Sequence, residues 1–326
     1  MNKEKILKQM ALILPAAFSC FLWATAIPTL KISYKLLNIP ADDIFNRFVL
    51  AGIRFLLAGV LIGVYILIKE KKIRVLKGSQ WKTVLIFGLL NTSLQYMFFY
   101  TGVGNTGAIK GVLIDTSKPL IVVILAHLLT QDDKININKI MGLIIGFAGI
   151  FLANIEGAIG GGLNLDVSFM GEGTLILASL AYGFAVLYGK KAMQTMSSVM
   201  LNMYQMVFGS IILLGIGLVG AGGFNLVFNM QALLLLIYSA FLSAIAFVVW
   251  YGLIHKYNAS SVTIYIFLIP VFGSIISSVI FPEESLSIFV VISLILMTIS
   301  INLVNRNGQT KKGRMTYHEI KENSAS

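Results

Sequence analysis

Ten apolar stretches of roughly twenty residues, joined by short polar connections, leave this chain few ways to fold. They run over residues 11–31, 46–68, 83–102, 107–130, 138–155, 171–189, 198–220, 231–253, 259–281 and 286–304. About 20 apolar residues are needed for a helix to cross a hydrocarbon core of ~30 Å. Inside that core each backbone N–H and C=O has to be bonded within the protein, which leaves helices and closed barrels as spanning structures. The expected fold is therefore all-α and integral to a membrane, with ten transmembrane helices. Composition agrees: 57% of the residues are hydrophobic and 12% charged, about half the charged share of a soluble domain. The longest polar pieces are residues 69–82, the Gly-rich residues 157–169 with Gly160-Gly161-Gly162, and the basic tail from Asn305. None is long enough for a soluble domain.

Charge placement predicts orientation. The net charge of +11 could point to nucleic acid, but Lys and Arg cluster in the short connections, as they do when orienting a membrane protein. With the N-terminus inside, nineteen of the twenty-five basic residues fall on the cytoplasmic side and only Lys31, Lys35 and Arg47 on the outer side. Both termini are expected in the cytoplasm of a multi-pass protein of the cell membrane. Lys3, Lys5 and Lys8 before an apolar run resemble a signal peptide, but the run continues past Cys20 with no polar domain behind it. It reads as an uncleaved first span. The single cysteine excludes an internal disulfide and a multi-cysteine metal site.

The chain repeats itself. At an offset of 151 residues, Tyr100 meets Tyr251, Pro119 meets Pro270, Arg54 meets Gln205 and Asp132-Asp133 meets Glu283-Glu284. The first helix of each half matches at an offset of 159, with Leu22-Trp23 against Ala181-Tyr182 and Lys31 against Lys190. Five spans per half is an odd number, so the copies are expected to insert with opposite topology and to place a binding site between them near mid-membrane. The expected units are residues 1–156 and 157–304, followed by a basic cytoplasmic tail, residues 305–326, expected to be disordered.

These features resemble the drug/metabolite transporter superfamily in its EamA-type, ten-helix branch. Leu22-Trp23-Ala24-Thr25 through Lys31, Gly52-Ile53-Arg54-Phe55, Tyr100 with the small residues after it, and the two prolines with their acidic pairs carry the likeness over residues 11 to 304. The resemblance implies a secondary carrier, usually an exporter of amino acids, metabolites or drugs. It also implies a cavity lined by the first, third and fourth helices of each half. In those helices lie the candidate substrate-binding residues Trp23, Tyr96, Tyr100, Asp115, Lys118, Tyr182 and Tyr265. For each aromatic alone, packing or an interfacial belt is the competing explanation. One departure is plain: Lys110, Asp115 and Lys118 meet Ser261, Ile266 and Ile269 in the second half, so the site is expected to be asymmetric.

The fourth span holds the charges that need explaining. Asp115 and Lys118 lie ~12 and ~16 Å in from the outer end at 1.5 Å per residue, which puts Lys118 near the centre of a ~30 Å core. Charged residues there are rare and usually face a cavity. Pro119 removes the N–H that would bond the Asp115 carbonyl, so a kink is expected beside them. One reading makes the two an ion pair that only permits packing. The other has Lys118 contact an anionic substrate group while Asp115 orients it or carries a proton. Lys110 is shallow enough to snorkel toward outer headgroups, and so is Arg54, a third of the way in. Glu172 is expected at an outer helix N-terminus, where the dipole favours an anion. His127, His255 and His318 have no partner cluster, and no cofactor, metal spacing, phosphate loop or nucleophile triad is present.

An exporter of a small polar or amphipathic metabolite, working in the lipid bilayer by alternating access, is the leading expectation, and protons are one candidate coupling ion. The competing classes are an integral membrane enzyme, which needs a nucleophile or metal ligands, and a membrane channel or sensor without a soluble domain.

Overall fold

The computed structural model describes residues 3–40, 42–106, 108–155, 167–280 and 288–306, and all its spans are helical. In chain order they are α1 (Lys3–Leu36), α2 (Ile44–Glu70), α3 (Ser79–Gly104), α4 (Lys110–Leu129), α5 (Ile137–Ala153), α6 (Phe169–Ala192), α7 (Ser198–Gly220), α8 (Met230–Lys256), α9 (Ala259–Ile276) and α10 (Ile288–Asn305). Nine of them are long and apolar enough to span a membrane among the described residues. The tenth, α5, has 17 residues and at 1.5 Å each reaches ~26 Å, the short end of the spanning range. The glycine run Gly160-Gly161-Gly162, the Glu283-Glu284 pair, His318 and the tail beyond Arg306 lie outside the described residues.

The bundle sets a number of polar and charged side chains into a mainly apolar interior and turns apolar side chains outward as well. Leu85, Ile144, Ile211, Leu234 and Ile295 are exposed, whereas Arg54, Asn91, Gln95, Gln205 and Lys118 are buried. The exposed apolar faces fit a lipid surround, in which they have no reason to hide. α2 packs on α7 and α5 on α10, while α1 packs on α8 and α9, and α6 on α3 and α4. Advancing every helix by five maps this set of pairs onto itself.

Small residues set the closest seams. On α5, Gly142, Gly146 and Gly149 face α10, whose Ser300 and Ser293 hydroxyls donate to the carbonyls of Gly142 and Gly149 at 2.6 and 2.7 Å. A Cβ at Gly142 would stand 2.9 Å from the Ser300 carbonyl oxygen, and one at Gly209 would stand 2.5 Å from that of Gly88. These glycines let the helix backbones come into contact. Without a hydrophobic force between helices, such close approach is the main source of association.

Four spans depart from regular α-helix, α6 among them through a π-helical first turn at Phe169–Gly173. α3 passes through a π-turn at Leu89–Leu94, which turns Asn91, Thr92 and Ser93 into the interior. α4 breaks between a first half that ends at Asp115 and a second half, Lys118–Leu129. α9 contains a 3₁₀ turn at Ile264–Phe267, just ahead of Pro270. Both breaks of α4 and α9 fall where the paired prolines stand.

The basic ends of the helices lie together, with the connection 71–78 beside the start of α7, where the Tyr204 hydroxyl donates to the Arg74 carbonyl at 2.9 Å. In a Cys20→Ala background, a cysteine placed at the exposed Ser79 is expected to label only after a membrane-permeable reagent is used. Ready labelling of intact cells by an impermeant reagent would reverse the orientation.

Candidate substrate site

The break in α4 follows from its sequence. Ser117 N–H donates to the Ile114 carbonyl at 3.0 Å, a tightened turn, and the helix restarts with Ile121 N–H on Ser117 at 3.2 Å. Pro119, second in the new helix, needs no partner for a missing N–H there. The expected kink is thus a full interruption. Asp115 stands at the C-terminus of one half-helix and Lys118 at the N-terminus of the next, so both dipoles oppose their charges. Each is held by the other: the Lys118 ammonium meets Asp115 Oδ1 at 2.5 Å.

Aromatic rings enclose this pair. The Lys118 ammonium lies 5.5 Å from the Phe99 ring centre and 5.7 Å from that of Tyr182. The Tyr182 hydroxyl accepts a bond from Trp250 Nε1 at 3.0 Å, and Trp250 sits edge-on to Trp23 at 5.0 Å. Tyr96 is 6.0 Å from Tyr100 and 4.5 Å from Phe55 between ring centres. Of the seven predicted residues, Trp23, Tyr96, Tyr100, Asp115, Lys118 and Tyr182 thus belong to one connected aromatic and charged cluster. Tyr265 stands at its edge. Its carbonyl accepts from Cys20 Sγ at 3.2 Å, and the residue lines a recess with Gln9, Leu12 and Asn302.

Lys110 does not reach for headgroups. Its ammonium lies 2.9 Å from Glu172 Oε1, because a carboxylate on the neighbouring helix is a closer partner than the interface. Glu172 does sit in the first turn of α6, as expected, where it also accepts from Thr106 at 2.6 Å and from the Ser168 N–H at 2.8 Å. Arg54 does not snorkel either: it is 4% exposed, turned inward onto the Phe55 and Tyr96 rings at 4.4 and 5.9 Å.

A second buried charge cluster lies at the basic end. Asp133 meets the Lys139 ammonium at 2.5 Å and accepts from the Ser260 N–H at 3.0 Å and from the Ser260 hydroxyl. It therefore ties the α4–α5 connection to the first turn of α9, 127 residues away. Burial pushes the Asp133 carboxyl up, but the Lys139 charge and the bonds from Lys139 and Ser260 outweigh it and hold the group below the usual aspartate value. Asp133 was legible only as half of a repeated acidic pair. Its ligands are set by tertiary register.

A multi-pass, all-helical membrane protein with a charged aromatic interior is the class defined so far. The chain belongs to the EamA-like transporter family, whose model matches residues 10–155 and 169–306. It is similar to the uncharacterized transporter YvbV of Bacillus subtilis, with 28% identity over 80% of this chain and 83% of that one. An uncharacterized transporter of Archaeoglobus fulgidus is 27% identical over 79% of this chain and 85% of its own length. A chloroplastic WAT1-related protein of Arabidopsis thaliana is 25% identical over 87% of this chain and 67% of its own. One solved crystal structure superposes with a TM-score of 0.72 at 14% identity, over 93% of this chain and 99% of that one. That likeness concerns the fold.

Proposed function

We propose that this transporter exports a small polar or amphipathic metabolite by alternating access between two inverted five-helix repeats, residues 1–156 and 157–304. The membrane in question is the cell membrane, with both termini and the basic tail in the cytoplasm. The observation that carries the reading is the Asp115–Lys118 ion pair at the break of α4, enclosed by aromatic rings from α3 and α6. A half-helix N-terminus at mid-membrane favours an anionic substrate group, and Lys118 has two N–H donors beyond the one given to Asp115. Asp115 holds Lys118 in orientation, and protons are the coupling ion to test first. Two family-model matches and a helix pairing unchanged by a shift of five support the repeat. Proline-bounded breaks in α4 and α9 are the places where the halves would flex.

Untargeted metabolite profiling of cells with and without the protein tests this directly. The expected result is one or a few small metabolites that build up inside cells lacking it and in the medium of cells overproducing it. Equal profiles across growth conditions, or accumulation inside the overproducing cells, would count against export.

A further inference from the structure

Arg54 is a buried cation that the substrate reading leaves out. The buried lysines each meet a carboxylate: Lys110 has Glu172, Lys118 has Asp115 and Lys139 has Asp133. Among the described residues, Arg54 has none within 4 Å. Its Nε and Nη1 are buried without a hydrogen-bond partner. A guanidinium does not lose its proton inside a protein, so neutralisation is closed to it. The faces of Phe55 and Tyr96 attract the cation, yet cation–π attraction offsets only part of the cost of burying an unpaired charge. The same rings join it to the substrate cluster, because Tyr96 packs on Phe99 and Tyr100, and Phe99 faces Lys118. Trp23 Nε1 and the Gln95 side-chain oxygen, in the same helices as that cluster, are also buried and unpartnered.

We propose that Arg54 binds the carboxylate of the substrate and that its unpaired charge makes the site selective for small monoanions over zwitterions and cations. Counting charges gives the class. Arg54 and Lys118 are positive and Asp115 negative, so this part of the interior lacks one negative charge. A monoanion with a carboxylate supplies it and matches the two-pronged donor geometry of Arg. A zwitterion brings an ammonium as well, and the one carboxylate here is engaged by Lys118. The aromatic walls suit an apolar body behind the carboxylate.

This rests on the aromatic cluster being the substrate site, and the test separates the two ideas. Thermal unfolding of the purified full-length protein in lipid nanodiscs is followed with phenylacetate, phenylacetamide, phenylglycine and benzylamine. These share one apolar body and carry a negative, no, a zwitterionic and a positive charge. Phenylacetate alone is expected to raise the midpoint. Arg54→Met is expected to abolish that rise while keeping or raising the ligand-free midpoint, since an unpaired charge has been removed. Arg54→Lys keeps the charge without the fork, and binding at least tenfold weaker is expected. The proposal is overturned if phenylacetate leaves the parental protein unmoved, if phenylglycine stabilises it equally, or if the rise survives in Arg54→Met. Should the rise survive in Arg54→Met but vanish in Lys118→Met with Asp115→Asn, the cluster is the site and Arg54 is not its anion ligand. The opposite pattern keeps Arg54 and removes the role given to Lys118.

Discussion

Asp133→Asn is expected to be the most destabilising single polar substitution in this chain. It leaves the Lys139 ammonium, 3% exposed, without its counter-charge. Removing one partner of a buried pair costs about 3–5 kcal/mol, because an uncompensated charge stays behind. The N–H and hydroxyl of Ser260 at the first turn of α9 lose a charged acceptor for a neutral one, which adds to the loss. The expected outcome is a sharply lower unfolding midpoint and poor recovery from membranes. Asp132→Asn supplies the control. Asp132 is 59% exposed and 3.8 Å from Lys190, so its loss should cost less than ~1 kcal/mol. Equal midpoints for the two variants would refute the assignment. The pH dependence has a definite sign. A carboxyl held below its ordinary value contributes stability that is full above the ordinary aspartate value of 3.8 and is lost as pH falls through the depressed one. This cluster should therefore leave stability flat from pH 5 to 8, with its loss confined to pH below about 4.

What the sequence made legible was whatever short-range physics controls. Ten apolar runs became ten helices because in lipid each helix satisfies its own backbone. Pro119 marked the break in α4 because the lost N–H is a local fact. Partners distant in the chain were not legible. Lys110 and Arg54 each had an outward route along a flexible stem, and nothing in the sequence shows that Glu172, 62 residues on, takes one of them while the other turns inward. Asp133 with Lys139 looked like any solvated loop charge. Phe99 and Trp250 are two aromatics in a chain that is 11% aromatic, and only the packed bundle singles them out as walls of the charged site.

The double variant Lys118→Met with Asp115→Asn is expected to fold and to be inactive. Each single variant strands a charge inside the bundle. Lys118→Met leaves Asp115, 25% exposed, at a helix C-terminus whose dipole disfavours an anion. Asp115→Asn leaves Lys118 at a helix N-terminus, equally opposed by the dipole, beside rings that attract it but do not neutralise it. Both singles should lose expression, by up to the ~3–5 kcal/mol typical of a broken buried pair. The double variant removes both charges together, and a desolvated ion pair replaced by neutral groups is often near neutral in stability. Recovery of expression is therefore expected whichever role the pair plays. Transport separates the roles. If the pair only permits packing, the double variant should move substrate at the parental rate once protein levels are matched. If Lys118 contacts the substrate, the rate should stay at least a hundredfold down, as when an interaction of ~3 kcal/mol is lost at ~1.4 kcal/mol per tenfold. Parental transport by a well-expressed double variant would leave Asp115 and Lys118 as a structural pair and move the search for the substrate's anion ligand to Arg54.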